Sequence, residues 1–322
     1  MVILNNFRKR KFACFIMPAF IGVFLFTAVT LFVFFAPGGV QAQTVFQSPE
    51  EAMEMLVKAA KSNDAEKMLA IFGPEGKDII DSGDAVADKN NRAKFAKSYK
   101  EKVNFVDDNG TVSVILGKDS YPMAVPIVKK EAGWVFNTAD GLQELLKRRI
   151  GRNELRAISS CQAFVQAQRE YAGIDRDMDG VMQYARKFCS EPGRRDGLFW
   201  EETEGEPPSP LGPLFVAASK EGYVVGEVCM ISPAPYHGYH YKILTAQGAN
   251  APGGAYSYLI NEHMVAGFAL AAWPAEYAVS GIMTFIVNQN GIVYEKDLGP
   301  DTDKILGAMV GYNPDSTWSR AQ

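Results

Sequence analysis

The first 42 residues limit what the rest of the chain can become. Arg8, Lys9, Arg10 and Lys11 form a basic start, Phe12 to Ala36 is apolar, and Val40-Gln41-Ala42 is a small-residue site just before Gln43. That order is the pattern of a secretory signal. An apolar run of roughly 25 residues would also span a bilayer, so an uncleaved anchor with its basic end inside is the alternative. Residues 1–42 are therefore set aside as signal peptide or membrane anchor. In either case the remaining chain works beyond the cytoplasm, in the periplasm or outside the cell, or facing outward from the inner membrane. No cysteine follows the small residues, which argues against a lipoprotein.

Composition matters once the leader is removed. The whole chain has a formal net charge of -4, and taking away the leader's four cations leaves -8. An acidic protein is a poor partner for nucleic acid, whose binding relies on a basic surface that releases counterions. Cys14 lies in the leader, leaving Cys161, Cys189 and Cys229, which allow at most one internal disulfide. Cys161 and Cys189 fall on successive predicted helices and are the expected bridge, with Cys229 as a buried thiol in an apolar stretch.

The remainder reads as α+β in two domains, 47–150 and 152–322. Ser48-Pro49-Glu50-Glu51 is a capping box with proline at the first helical position, and Ala52, Leu56, Ala59 and Ala60 give the apolar stripe of a helix. A short helix around Ala65 to Phe72 ends at Gly73-Pro74, and a polar one is expected from Asn91 to Lys100. Strands then follow: Lys102 to Val106, a turn at Asp107 to Gly110, Thr111 to Leu116, Met123 to Lys129, and Trp134 to Phe136. Helices followed by hairpins resemble the cone-shaped domains of the nuclear-transport-factor-two-like class, which bind varied ligands or serve as spacers. The segment lacks a histidine to pair with an acid, as catalysis in such a cone would want.

Asp140 to Ile150 is predicted as a helix broken at Gly151, and its basic end at Lys147, Arg148 and Arg149 complements the helix dipole. A longer helix from Glu154 to Tyr171 carries the stripe Leu155, Ile158, Cys161, Phe164, Val165 and Tyr171, and a third is expected through Val181, Tyr184, Ala185 and Phe188. Residues 192–213 read as a loop rich in glycine, proline and charge. Beyond it lie strands: Tyr236 to Thr245, Tyr256 to Asn261, Phe268 to Trp273, and a hairpin of Thr284 to Val287 with Ile292 to Glu295 across Asn288-Gln289-Asn290-Gly291. A long helix followed by an antiparallel sheet resembles a pilin-like globular domain. It differs from a true pilin, since a whole domain separates the hydrophobic leader from that helix.

Few constellations carry chemistry. Asp175, Asp177 and Asp179, followed by Gly180, alternate like the opening of a calcium loop, whose carboxylates converge on one hard cation. The twelfth position holds Arg186 where an acid would close the loop, so a solvated turn is the competing reading. His237, His240 and His263, with Glu262, could be drawn as a zinc site, but residues three apart on a strand face opposite sides. No phosphate loop, dinucleotide fingerprint or nucleophile elbow occurs. No cofactor beyond calcium is expected.

Several strings carry a family resemblance: Gly133 to Thr138, Arg148 to Glu154, Tyr236-His237-Gly238-Tyr239, Leu244 to Gly248, and Asn288 to Tyr294. Through them the chain from Ser48 onward resembles the exported bacterial proteins grouped as domain of unknown function 2950. The resemblance implies export and no particular activity. The expected function is a non-catalytic envelope module that binds a partner protein or helps an assembly. The alternatives are a small-ligand binder or enzyme using the first domain, and a calcium-stabilised structural module.

Overall fold

The computed structural model describes residues 42–176, 178–202, 205, 207–224 and 234–321. Helix α1 (Pro49–Lys61) starts as its capping box directs: Ser48 Oγ accepts from the Glu51 amide at 3.2 Å, and Glu51 Oε2 accepts from the Gln47 amide at 2.7 Å. Helix α2 (Ala65–Phe72) is capped by Asp64 and ends at Gly73, whose φ of 79° suits glycine. A 3₁₀ turn (Pro74–Gly76) and the short α3 (Lys77–Ile80) follow. Helix α4 (Ala85–Glu101) begins well before the expected Asn91, because Asp84 Oδ1 accepts from the Ala87 amide and starts it there.

These helices cover an antiparallel sheet made of β1 (Val103–Asp108), β2 (Thr111–Leu116), β3 (Tyr121–Pro122), β4 (Ile127–Lys130) and β5 (Gly133–Phe136). The order is β1-β2-β4-β5, with β3 paired to β2. Asn109 and Gly110 both take positive φ, the geometry that a two-residue hairpin between Asp108 and Thr111 requires. Met53, Leu56, Phe72, Val112, Val114, Ile127 and Phe136 form the buried core between the layers.

The predicted break at Gly151 does not occur. Helix α5 runs unbroken from Thr138 to Tyr171, 34 residues. A glycine inside a helix costs only about 1 kcal/mol relative to alanine, and burial on both sides of the position outweighs it: Arg149 and Asn153 before and after it are both buried. The N-terminal part of α5 contacts α3, and its C-terminal part lies on the second sheet through Ala157, Cys161, Phe164 and Val165.

That sheet holds β6 (Tyr239–Leu244), β11 (Ala269–Pro274), β12 (Met283–Asn288), β13 (Tyr294–Asp297) and β15 (Ser319–Arg320), antiparallel in the order β15-β13-β12-β11-β6. Phe164 meets Phe268 edge-on at 5.7 Å, and Phe285 and Ile286 belong to the same buried core, pointing to opposite faces of β12. A smaller sheet joins β7 (Ala246–Gln247), β8 (Tyr256–Ser257) and β14 (Gly311–Tyr312), and β9 (Leu259–Ile260) pairs with β10 (His263–Met264). The architecture is α+β throughout.

Two short helices had no clear sequence signal: α6 (Gly212–Glu221), with Pro213 in its first turn, and α7 (Thr302–Ala308). The helix expected through Val181 to Phe188 is instead an irregular strap. Buried Gln168 explains the difference: its amide donates to Ala185 O and accepts from Ala185 N, both at 2.8 Å, imitating a neighbouring strand. The Tyr184 amide donates to Met264 O and the Phe199 amide to Phe188 O, so tertiary partners supply what a helix would have. The expected bridge also fails. Cys161 is a free, fully buried thiol, while Cys189 is disulfide-bonded; Cys229 lies outside the described residues. Cys161 points from α5 into the sheet, so its stripe position marks core.

Candidate functional site

The richest polar cluster is a buried seam where α5, the α4 N-terminus, the end of α6 and the turn before β6 meet. Asp84, 1 % exposed, caps α4 with Oδ1 and turns Oδ2 to the second half of the chain. There Oδ2 accepts from the Tyr223 hydroxyl and the Gly238 amide, both at 2.9 Å. The Tyr223 oxygen in turn accepts from the His237 amide at 3.2 Å. Burial, and then the Asp84 carboxylate, push the Tyr223 phenol far above its ordinary range, so it acts as a neutral donor.

His237 takes a positive φ of 53°, and Gly238 follows at 80°. A Cβ on Gly238 would come within 2.6 Å of Asn153 Nδ2, so the turn needs glycine both for its φ and for the close approach of α5. Asn153 donates to Ser280 O at 2.9 Å, and Glu154 Oε1 accepts from the Ile282 and Met283 amides. Successive residues of α5 thus grip the segment that leads into β12.

The His237 ring is set by Arg156, whose Nη1 lies 2.9 Å from His237 Nδ1. A guanidinium can only donate, so Nδ1 accepts and the ring proton sits on Nε2. Nε2 faces Glu221 Oε2 at 3.5 Å. Burial, then the charges of Arg156 and Arg152, lower the His237 pKa to about 4. Glu221 pulls the other way, but its contact is longer and its side chain is 43 % exposed, so solvent weakens the pull. The imidazole is neutral at ordinary pH.

Behind the ring, Arg149 is buried and donates to Asp78 O at 2.6 Å and Ile79 O at 3.0 Å. Asp88 accepts from the Ser82 amide and hydroxyl, and burial raises its carboxyl pKa despite those bonds and the nearby Arg149 and Arg92. Beside the seam, Phe164, Phe188, Leu211, Phe215, Tyr236 and Leu270 line an apolar cleft of about 60 Å³.

The sequence-predicted metal residues lie elsewhere. Asp175 Oδ2 accepts from the Gly180 amide and Asp179 Oδ1 from the Val181 amide, both at 2.8 Å, while Asp179 Oδ2 stands 3.4 Å from His263 Nδ1. Asp177 lies outside the described residues. His237 sits in the seam, the His240 ring lies tilted against Trp273 and His263 meets Asp179, so the three rings serve separate places. Among the described residues no three metal-ligating side chains are grouped to hold an ion. No described helix is long and apolar enough to cross a membrane.

Sequence reasoning passed over Asp84, Tyr223 and Arg156, which stand alone in the sequence without a motif. The available signal was the string Tyr236-His237-Gly238-Tyr239, a polar turn between apolar stretches. No curated protein and no solved structure matches the chain. The family model described as Protein of unknown function (DUF2950) matches residues 43–321, and the chain belongs to that family.

Proposed function

We propose that the protein is an exported, non-catalytic binding module of the cell envelope, acting on a partner protein or within an assembly. The observation that carries this reading is the bonding of the seam. Its histidine, tyrosine and carboxylates are taken up by one another and by backbone groups of both halves, so their chemistry holds the two halves together. Export is supported by the leader, by a family match that starts at residue 43, directly after the small-residue site, and by the disulfide at Cys189, which suits an oxidising compartment. A long helix lying on an antiparallel sheet also supports a pilin-like second domain.

The test is cross-linking and affinity capture of the tagged chain from native envelopes, with mass spectrometry of what is recovered. A reproducible set of envelope proteins is the expected result. Recovery of the chain alone overturns the reading.

A second reading, a small-ligand binder, is favoured by the apolar cleft, which lies in the second half of the chain and not in the first. A saturable rise in melting temperature with an apolar ligand would support it, and substitution of Phe215 by tryptophan should abolish that rise by filling the cleft.

A further inference from the structure

Helix α5 carries Arg148, Arg152 and Arg156 at successive steps of four, which places them along one face. Two of the three are engaged. Arg148 donates to Glu144 Oε1 and to Pro122 O, both at 2.7 Å, and lies over the Tyr121 ring at 4.9 Å. Arg156 donates to His237. Arg152 makes no hydrogen bond or ion pair with any described residue. Its guanidinium is partly desolvated, and its strongest charged neighbour is Arg156, a like charge.

This arrangement runs against the rest of the chain. The sequence has more acids than bases, so carboxylates were available to pair with these arginines. Among the described residues none is placed at Arg152. The imidazole that receives Arg156 is uncharged and offsets nothing. Around the pair the helix face is open: a Cβ on Gly151 would meet nothing within 4 Å, and Leu155 is 62 % exposed. Two guanidinium forks one turn apart present more donors than one carboxylate can use, whereas a tetrahedral oxyanion offers an oxygen to each.

We propose that Arg152 and Arg156, flanked by Arg148 and Tyr121, form a binding site for a phosphoryl oxyanion on the exposed face of α5. The anion supplies the counter-charge that the described residues leave out. Arg156 is oriented for this by His237, and Arg152 is left uncommitted for it. The site goes beyond the protein-binding reading: it concerns a small anionic group and shares only Arg156 with the seam's own bonds.

The experiment uses the full chain and three variants, R152Q, R152K and R156Q. Inorganic phosphate is titrated by calorimetry against chloride at matched ionic strength, and vesicles containing phosphatidylglycerol are compared with neutral phosphatidylcholine vesicles by co-sedimentation. Saturable phosphate binding that falls at least tenfold in R152Q and recovers partly in R152K supports the site and points to a soluble ligand. Binding to the anionic vesicles alone, lost in R152Q, supports the same site with a lipid headgroup as the source. R152Q breaks no bond among the described residues, so its melting temperature without ligand should equal or exceed that of the parent, which separates lost binding from lost folding. Absence of binding in both arms, equal binding by R152Q, or preference for a tricarboxylate such as citrate over phosphate overturns the proposal.

Discussion

The His237 ring gives the sharpest test of the seam. Its pKa falls from the ordinary 6.5 to about 4 because the residue is 8 % exposed and faces Arg156 and Arg152. As pH falls, the unfolded chain takes up the proton near pH 6.5 and the folded chain only near pH 4. Across that window the unfolded state therefore binds more protons, so stability is full above it, declines through it, and has lost the whole contribution below it. At 1.36 kcal/mol per pH unit, the loss is at most about 3–4 kcal/mol. Asp88 acts in the opposite direction, since its raised carboxyl favours the folded state at low pH and loses that contribution as pH rises. The comparison must therefore be between the parent and His237→Asn, which tolerates the positive φ and does not titrate. Urea denaturation is measured across the window for both proteins. The difference in unfolding free energy should shrink as pH falls and level off near pH 4. An unchanged difference at every pH would refute the buried neutral ring.

Asp84→Ala removes a helix cap and two buried bonds to the second half, and should destabilise by about 3–5 kcal/mol in urea denaturation, against about 1–2 for Tyr223→Phe. The double variant should cost less than the sum, since both remove the same bond. Alkylation should label Cys161 only after unfolding, and peptide mapping without reductant should recover Cys189 in a disulfide; with Cys14 in the leader, the expected partner is Cys229. Adding a calcium chelator should leave the melting temperature unchanged, because Asp175 and Asp179 each bond a backbone amide of their own turn. A clear fall in melting temperature would instead support calcium at Asp175, Asp177 and Asp179.

Much of the fold was legible because it depends on local rules. The capping box at Ser48, the Asn109-Gly110 hairpin, the apolar stripe of α5 and the β12–β13 hairpin each carry their signal within a few residues. The failures came where distant partners decide the outcome. Val181 to Phe188 has helical spacing, but Gln168 and Met264 offer its backbone hydrogen bonds from outside the segment. Gly151 has a breaker's identity, yet the helix is gripped on either side of it. The seam was illegible for the same reason: Asp84 and Tyr223 are 139 positions apart, and Asp84 and Gly238 are 154 apart. Isolated residues of that kind leave no spacing to read.

The string Arg148 to Glu154 shows how structural and functional residues separate once the contacts are known. Arg148 ties α5 to Pro122, Arg149 ties it to Asp78 and Ile79, Asn153 to Ser280, and Glu154 to the start of β12. Each of these side chains has a partner whose loss would be felt in folding. Arg152 stands among them with no such partner among the described residues, and it bears a like charge against Arg156. If the string served only to join the halves, Arg152 would be the one polar member that weakens the join. A residue that opposes stability while its neighbours supply it is where a ligand's contribution would be largest, because an anion there removes repulsion as well as adding bonds. The folding measurements and the binding measurements should therefore divide the string, with Arg149, Asn153 and Glu154 moving stability and Arg152 moving affinity.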